Sequence, residues 1–165
     1  GMIRYSPVFA ALMFAGAVQA EEVALIDACI GPVGAPDEHA EWCKGIVAEP
    51  CFYRKEDRSK ANLLLCIDAE VAAWSKIMER EFALLSDTLA SRQQDALVNA
   101  QSAWRTFLAA DCAFPQVFTE DSVAESWSSD CRLHHTADRA LALRGFRDFA
   151  VDPENPPTLV QDSEE

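Results

Sequence analysis

The chain has 165 residues, 50% of them apolar, and a formal net charge of −13, which together indicate one acidic globular domain. This apolar fraction is enough to bury a core, so the composition is not that of a disordered chain. The excess of 27 acids over 14 bases argues against nucleic acid and against anionic lipid surfaces as partners, because both require clustered Lys and Arg. It favours solubility and fast encounter with cationic partners.

Residues 1–20 have the pattern of a secretory signal peptide. The single positive charge of Arg4 precedes an apolar run over 7–17 and a small-residue cleavage pattern that ends at Ala20. The run is too short to span a membrane, which needs about 20 apolar residues, so no membrane anchor is expected. We predict a bacterial protein that is periplasmic or secreted, with a mature charge of −14 because cleavage removes one Arg and no acid. Gly1, ahead of the first Met, is interpreted as a cloning remnant.

Six cysteines follow the predicted cleavage site, and an even number in an oxidising compartment indicates three disulfides. Many pairings are possible, and the short separations favour Cys29–Cys43, Cys51–Cys66 and Cys112–Cys131. No C-x-x-C pair is present, which disfavours zinc, thioredoxin-type and haem-attachment sites. A thiol nucleophile would need an unpaired cysteine. We therefore predict no metal, no cofactor and no catalytic residue.

Residues 21–58 are predicted to be a cysteine-bearing segment with short helices, because Gly and Pro interrupt it repeatedly. The helices are expected near 23–30 and 38–47, the second with Asp37 as its N-cap. Short helices are marginal in isolation, so we expect the disulfides to hold them on the main body.

A long helix is predicted next, with Ser59 as its N-cap. Its apolar residues recur every three or four positions and form one stripe: Ile67, Val71, Trp74, Met78, Phe82, Leu85 and Leu89. The polar residues off this stripe are expected to face water: Glu70, Lys76, Glu79, Arg80 and Asp87.

The stretch 91–94 matches a capping box, in which Ser91 and Gln94 begin a second helix. The apolar positions of this helix are Leu97, Ala100, Trp104 and Leu108. The turn before it is short, which predicts an αα-hairpin. Pro115 is expected to end the second helix. The irregular stretch 113–130 would then tuck its apolar side chains against the hairpin: Phe114, Val117, Phe118, Val123 and Trp127.

A third long helix is predicted to begin at Ser129 or Asp130 and to run to Phe149. Its inward residues are expected to be Leu133, Ala137, Ala140, Leu143 and Phe146. Residues 151–165 hold three prolines, five acids and no base, and are predicted to be a disordered tail. Since no β-alternation or repeat is visible, the fold class is all-α: a disulfide-stapled αα-hairpin plus a third long helix over 59–150, with short N-terminal helices.

Three motifs follow one another from Cys66 onward. The first is Cys66, Glu70 and Trp74; the second is Ala100, Gln101, Trp104, Phe107 and Cys112; the third is Cys131, Thr136, Arg139 and Leu143. In this order and spacing the chain resembles the LprI-like family of exported bacterial proteins.

The chain departs from the family pattern at several polar positions. The substitutions are Ser75 for Asp, Met78-Glu79 for Leu-Asn, Phe82 for Tyr and Leu108-Ala109 for Arg-Asp. Asp111 keeps an acid beside Cys112. If the lost polar cluster is structural, hydrophobic packing has replaced it; if it is functional, the activity of this chain is changed or absent.

The family takes its name from a lysozyme inhibitor, so the resemblance implies a rigid, acidic surface that occludes a cationic lysozyme-type muramidase. The alternative is a module that binds another envelope component: a peptide, a wall fragment or a partner protein. A small enzyme is disfavoured, because no motif singles out a catalytic carboxylate and no second domain forms a cleft.

The candidate site residues are the family positions Glu70, Trp74, Gln101, Trp104, Asp111, Thr136 and Arg139. Of the aromatic residues, Trp74, Trp104 and Phe107 are expected to form hairpin core. Arg139 is expected to form an ion pair with Asp111 or Glu70, with a binding role as the alternative. Gln101 is expected to bond a loop carbonyl or to contact a partner. The three histidines, His39, His134 and His135, are expected at the surface.

Overall fold

The computed structural model describes residues 7–32, 37–152 and 154, with side chains described over 19–32 and from residue 40. Within these ranges the chain is helical and has no strand, which confirms the all-α class. The elements are α1 (Pro7–Ile30), a 3₁₀ helix (Asp37–Cys43), α2 (Ala48–Tyr53), α3 (Lys60–Ser86), α4 (Ser91–Phe118) and α5 (Val123–Ala150). Among the described residues, no helix has both the length and the apolarity required to cross a bilayer.

The N-terminal segment differs from its prediction. The helix expected near 23–30 is the end of the longer α1, and the one expected over 38–47 is replaced by the 3₁₀ helix and a turn at Gly45. Gly45 has a φ of +95°, a left-handed conformation that a side chain disfavours, and it interrupts the helix there. The side chain of Asp37, the expected N-cap, lies outside the described residues.

Two predictions concern the ends of the chain. Of the predicted signal peptide, residues 7–20 form the first part of α1 and residues 1–6 lie outside the description. Of the predicted disordered tail, only residues 151, 152 and 154 are described. Cleavage after Ala20 and disorder of the tail stay predictions.

Helix α3 begins where the sequence predicts. The Ser59 hydroxyl accepts a hydrogen bond from the backbone N–H of Asn62 at 3.4 Å, which caps the first turn. The predicted stripe faces the core, with Ile67, Trp74, Met78 and Leu85 buried and Val71, Phe82 and Leu89 half-buried. Among the polar residues, Lys76, Glu79, Arg80 and Asp87 are exposed as expected, whereas Glu70 is fully buried. The prediction that Glu70 faces water is wrong because the segment before α3 covers this position.

Helix α5 is central to the packing of the long helices, since it packs most extensively on α3 and next on α4. It runs parallel to α3: Arg132 lies 3.4 Å from Asp68, and Arg147 lies 3.0 Å from Glu81 further along both helices. The short turn between α3 and α4 is present as predicted, but both helices have α5 as their main partner.

The inward face of α5 agrees with the sequence except near its end. Leu133, Ala137, Ala140 and Leu143 are buried, as predicted. Phe146 is 61% exposed, so its predicted inward position is wrong. In the last turns of α5, Arg144 is buried and Arg147 half-buried, and they occupy the positions that face α1 and α3.

Helix α4 is longer than predicted, and its first residue is capped differently. The Gln93 side chain accepts a hydrogen bond from the backbone N–H of Ala90 at 3.0 Å, so Ala90, not Ser91, is the N-cap residue. Pro115 lies inside α4, which continues to Phe118, and α5 already begins at Val123. The predicted irregular stretch 113–130 is therefore wrong, and only 119–122 connect the two helices.

A proline inside a helix removes one backbone N–H donor. Helix α4 nevertheless continues past Pro115, because contacts with α5 hold it in place. One turn earlier, Cys112 is bonded to Cys131 of α5. One residue later, the Gln116 amide donates to the Ser128 hydroxyl at 3.2 Å. These cross-helix contacts fix α4 antiparallel to α5 on both sides of the proline.

Three disulfides staple the helices together: Cys29–Cys43, Cys51–Cys66 and Cys112–Cys131. They are the pairs that the short separations favour. The first joins α1 to the 3₁₀ helix, the second joins α2 to α3, and the third joins α4 to α5. Each bridge of this loop length typically stabilises a fold by about 2–4 kcal/mol.

Leu143 and Phe146 provide a test of the packing of α5, because the first is fully buried and the second is exposed. We expect Leu143→Ala to lower the free energy of unfolding by about 2–5 kcal/mol, since it leaves a cavity between α3 and α5. Phe146→Ala should cost about 1 kcal/mol or less. Urea titration followed by circular dichroism measures both, and equal losses would contradict this arrangement.

Candidate functional site

The family positions named from the sequence fall into separate groups. Glu70 and Trp74 lie together in the interior, Gln101 and Arg139 join α4 to α5, and Asp111 lies at the surface beside the third disulfide. Trp104 is half-buried against the core, and Thr136 is buried on α5. Phe107 is 50% exposed, so the expectation that it forms hairpin core is wrong: it lies on the outer side of α4 against His135.

The interior group is a buried carboxylate that N–H donors surround. Glu70 Oε1 accepts from the backbone N–H of Gly45 at 2.7 Å and from Trp74 Nε1 at 3.1 Å. Its Oε2 accepts from the backbone N–H groups of Val47 at 3.0 Å and Ala48 at 2.7 Å. Four donors thus replace the water that the carboxylate loses on burial. Glu70 and Trp74 therefore hold the N-terminal segment on α3 and present nothing to a ligand.

Two further charges lie close to this buried carboxylate. Burial raises the pKa of Glu22, and the negative charges of Glu21 and Glu70 raise it further. Lys44, next to Gly45, makes ion pairs with Asp138 of α5 and, at 2.8 Å, with Glu41.

The pKa of Lys44 reflects two opposing effects. Burial acts to lower it, but hydrogen bonds to Asp138 and Glu41 and the charges of these acids outweigh burial, so the pKa is raised. Lys44 therefore stays charged and ties the N-terminal segment to α5 as well as to α3.

A second polar cluster ties α1 to α3 and α5. Arg80 donates two hydrogen bonds to Asp27, at 2.7 and 2.8 Å, and also contacts Glu81. The bonds to Asp27 raise the pKa of Arg80 although burial opposes this, and Glu81 adds to the rise. Glu81 Oε2 lies 3.0 Å from Arg147, and Arg144 donates to backbone carbonyls at the end of α1. Because these charges form ion pairs with one another or bond to backbone carbonyls, the cluster is structural.

Arg139 and Gln101 form the polar contact between α4 and α5. Arg139 Nε donates to Gln101 Oε1 at 2.8 Å, and Gln101 Nε2 donates to Met78 Sδ at 3.4 Å. The expected ion pair of Arg139 with Asp111 or Glu70 is therefore wrong, as is the expected bond of Gln101 to a loop carbonyl. Burial lowers the pKa of the Arg139 guanidinium from its ordinary value.

Asp111 pairs with a histidine instead. Its Oδ2 lies 2.8 Å from His135 Nε2, and the ring of Phe107 meets the His135 ring edge-on at 5.1 Å between centroids. Ligand atoms of Asp111, Cys112, Cys131 and His135 all lie within 4.8 Å of one another. Because the two sulfur atoms form a disulfide, they are not thiolate ligands, and a carboxylate with one imidazole is an incomplete set for a structural metal site.

The end of the α4–α5 pair, which we call the hairpin tip (residues 114–127), carries large apolar side chains in contact with solvent. Their exposed fractions range from 39% for Val123 to 85% for Val117, and the others are Phe114, Phe118 and Trp127. The expectation that they tuck against the hairpin is wrong, because both helices continue through this region and direct these residues outward. Phe114 and Phe118 lie one turn apart, with ring centroids 5.5 Å from each other.

The charged residues in and beside the hairpin tip along the sequence are all acidic. Between Thr106 and Cys131 the chain has no Lys, Arg or His and five acids: Asp111, Glu120, Asp121, Glu125 and Asp130. All five acids are exposed, and Lys60 of α3 pairs with one of them, Glu125, at 2.7 Å. Exposed aromatic residues with a polar rim are typical of protein-binding surfaces. The sequence signal that could have located this surface is the absence of bases from an aromatic-rich stretch.

The model of the lysozyme inhibitor LprI family matches residues 51–143, more than half of the chain. The chain belongs to this family. The resemblance inferred from the sequence motifs is thereby confirmed. No curated protein and no solved structure matches the chain. The LprI match includes the hairpin tip and two of the disulfides, whereas α1 and the turn that covers Glu70 precede it.

In this LprI-family chain, Glu70 provides the test of the buried anchor. Glu70→Gln replaces one accepting oxygen by the amide nitrogen, which donates and cannot accept, so at least one buried backbone N–H loses its partner. We expect a loss of about 1–3 kcal/mol in the free energy of unfolding. Glu79→Gln, an exposed change on the same helix, should stay within about 0.5 kcal/mol. Chemical denaturation of both variants makes the measurement, and equal stabilities would refute the anchoring role.

Proposed function

We propose that this protein is an exported, non-catalytic inhibitor that binds a cationic lysozyme-type muramidase through the hairpin tip. The observation that carries the proposal is the row of exposed apolar residues at the tip in a stretch with acids and no base. Family membership supports inhibition of lysozyme as the activity. The predicted signal peptide supports a periplasmic or secreted location, where such an enzyme is encountered.

The shape of the tip suits insertion into a cleft. Two antiparallel helices meet at a connection of only four residues, 119–122, so the end of the pair is narrow and convex. Phe118 and Trp127, on opposite sides of this connection, are the kind of large aromatic anchors that contribute most to protein interfaces. An inhibitor of this shape blocks substrate by filling the cleft and needs no reactive group.

Charge repulsion decides which side chains of the tip lie at the centre of the proposed contact with the muramidase and which lie at its rim. A muramidase cleft holds a pair of carboxyl groups, which would repel an acidic side chain placed against them. We therefore assign the apolar side chains to the cleft, and the acids that lie back along the two helices, such as Asp130, to the basic surface around it. Acids at a rim act mainly on the rate of association and on specificity.

The tip is held in one arrangement before it binds. The Cys112–Cys131 disulfide and the hydrogen bond between Gln116 and Ser128 fix the spacing of the two helices next to the tip. A surface that is already ordered loses less conformational freedom on association, and more of its contact energy appears as affinity.

The proposal predicts that the purified protein slows lysis of bacterial cell walls by lysozyme in proportion to its concentration. Trp127→Ala with Phe118→Ala should raise the inhibition constant by about thirtyfold or more, because both anchors are lost. Trp42→Ala is the matched control, since Trp42 is 83% exposed on the 3₁₀ helix and far from the tip in sequence. A turbidity assay measures all three proteins.

Charge provides a separate test of the same surface. Glu120→Gln with Asp121→Asn should slow association and flatten the salt dependence, while the dissociation rate changes little. Unchanged lysis at a large excess of the wild-type protein would reject lysozyme inhibition. Binding to another envelope component, a peptide, a wall fragment or a protein, would then remain as the function of this surface.

A further inference from the structure

An apolar groove lies between α4 and α5 at the end opposite the hairpin tip. It has a volume of about 410 Å³ and is lined almost entirely by carbon. Leu85 and Leu143 are buried at its floor, whereas Phe146 and Phe149 are about 60% exposed on its lining. This volume lies in the range of small-molecule sites, roughly 300–1,000 Å³.

One charged residue, Arg139, lines this groove. Its Nε–H is bonded to the neutral Gln101 side chain, and no described residue forms an ion pair with its guanidinium. A guanidinium has further N–H donors on its two terminal nitrogens, arranged as a planar fork that matches a carboxylate or phosphate. Arg139 can therefore bind an anion in this groove, and the described part of the chain supplies none.

Other grooves between described residues differ from this one in the charges on their lining. The largest, of about 700 Å³, lies across α5 and is lined by two acids, Glu41 and Asp138. A smaller one, of about 210 Å³, is lined by Arg80, Glu81, Arg144 and Arg147, whose charges are engaged with one another or with backbone carbonyls. Two grooves of about 420 and 360 Å³ are both lined by the exposed Arg105, the first together with Arg132 and the second together with Glu79. The Arg139 groove differs from these four in that its lining holds a single charged side chain and is otherwise apolar.

We propose that this groove binds a single-chain amphiphile with an anionic head, such as a long-chain carboxylate. The head accepts hydrogen bonds from the Arg139 guanidinium, and the hydrocarbon chain lies over Leu143 and Leu85 toward Phe149. Burial of the chain supplies affinity in proportion to its length. The charged head supplies selectivity, because a charge-assisted bidentate contact is stronger than a neutral one. This site is independent of the hairpin tip and of lysozyme binding.

Dodecanoate below its micelle concentration is a suitable probe for isothermal titration calorimetry. We expect one molecule per chain with a Kd of about 10–100 μM, given the size of the ligand. Octanoate should bind at least about tenfold more weakly, since each buried methylene contributes to affinity. Dodecyltrimethylammonium, with an equal chain and a positive head, should bind at least about tenfold more weakly than dodecanoate.

Variants of the protein test the contact with the charged head and the contact with the hydrocarbon chain separately. Arg139→Gln should weaken dodecanoate by about tenfold or more and leave the cationic amphiphile unchanged. Arg105→Gln is the matched control, because Arg105 is exposed on α4 and does not line the groove. Ala100→Trp, at an exposed position on the lining, fills the groove without removing a core contact and should abolish binding of both amphiphiles.

Three results would overturn the proposal: equal affinity for the two head charges, dodecanoate binding unchanged in Ala100→Trp, or a stoichiometry well above one. A titration with lauroyl lysophosphatidate distinguishes two sources of the same chemistry. Tighter binding than dodecanoate assigns the site to phospholipid-derived chains, and weaker binding assigns it to free fatty acids. Circular dichroism of each variant verifies that it is folded.

Discussion

The buried carboxylate of Glu70 is the constraint on which the rest of the structure depends. A carboxylate without a cation is stable in an interior only if hydrogen-bond donors replace its water, and here backbone N–H groups of 45–48 provide three of the four. The turn must therefore stay on α3. Because Lys44 immediately precedes this turn and pairs with Asp138, the same constraint extends to α5. The disulfides on either side, Cys29–Cys43 and Cys51–Cys66, limit how far the segment can move away.

The opposite side of the molecule is built more openly. Of the 28 residues of α4, only Gln101 and Cys112 are buried. This helix is held to α5 by a disulfide and by the side-chain contacts of Gln101, Asp111 and Gln116, and it contributes few residues to the core. Because so few residues of α4 are buried, apolar side chains near both ends of the α4–α5 pair stay in contact with solvent. The hairpin tip at one end and the Arg139 groove at the other both follow from this attachment.

The sequence predicts best what is decided locally. The Ser59 cap and the stripe of α3 depend on neighbouring positions of one helix, and the three disulfides close separations of 14 to 19 residues. Hydropathy alone places the carboxylate of Glu70 in water, whereas three of its four donors lie 22 to 25 residues earlier in the chain. Pro115 was misassigned because its local helix-breaking effect is weaker than the contacts that hold α4 against α5. Apolar composition also cannot separate core from interface, so the exposed position of Trp127 requires the packed structure.

The departure of the chain from the family pattern at Leu108-Ala109 changes the charge and polarity of the surface of α4. The family pattern that the sequence motifs resemble has an Arg-Asp pair at this position. Leu108 and Ala109 instead line a groove beside the third disulfide, which reaches Gln116 of the hairpin tip. An apolar pair there removes two charges from the surface and extends its carbon-rich area toward the tip. In a protein interface, such a change alters which partner is preferred more than whether binding occurs, because specificity is a difference between affinities. Under the proposed function, the contact stays at the tip and the apolar pair alters which muramidase this chain prefers.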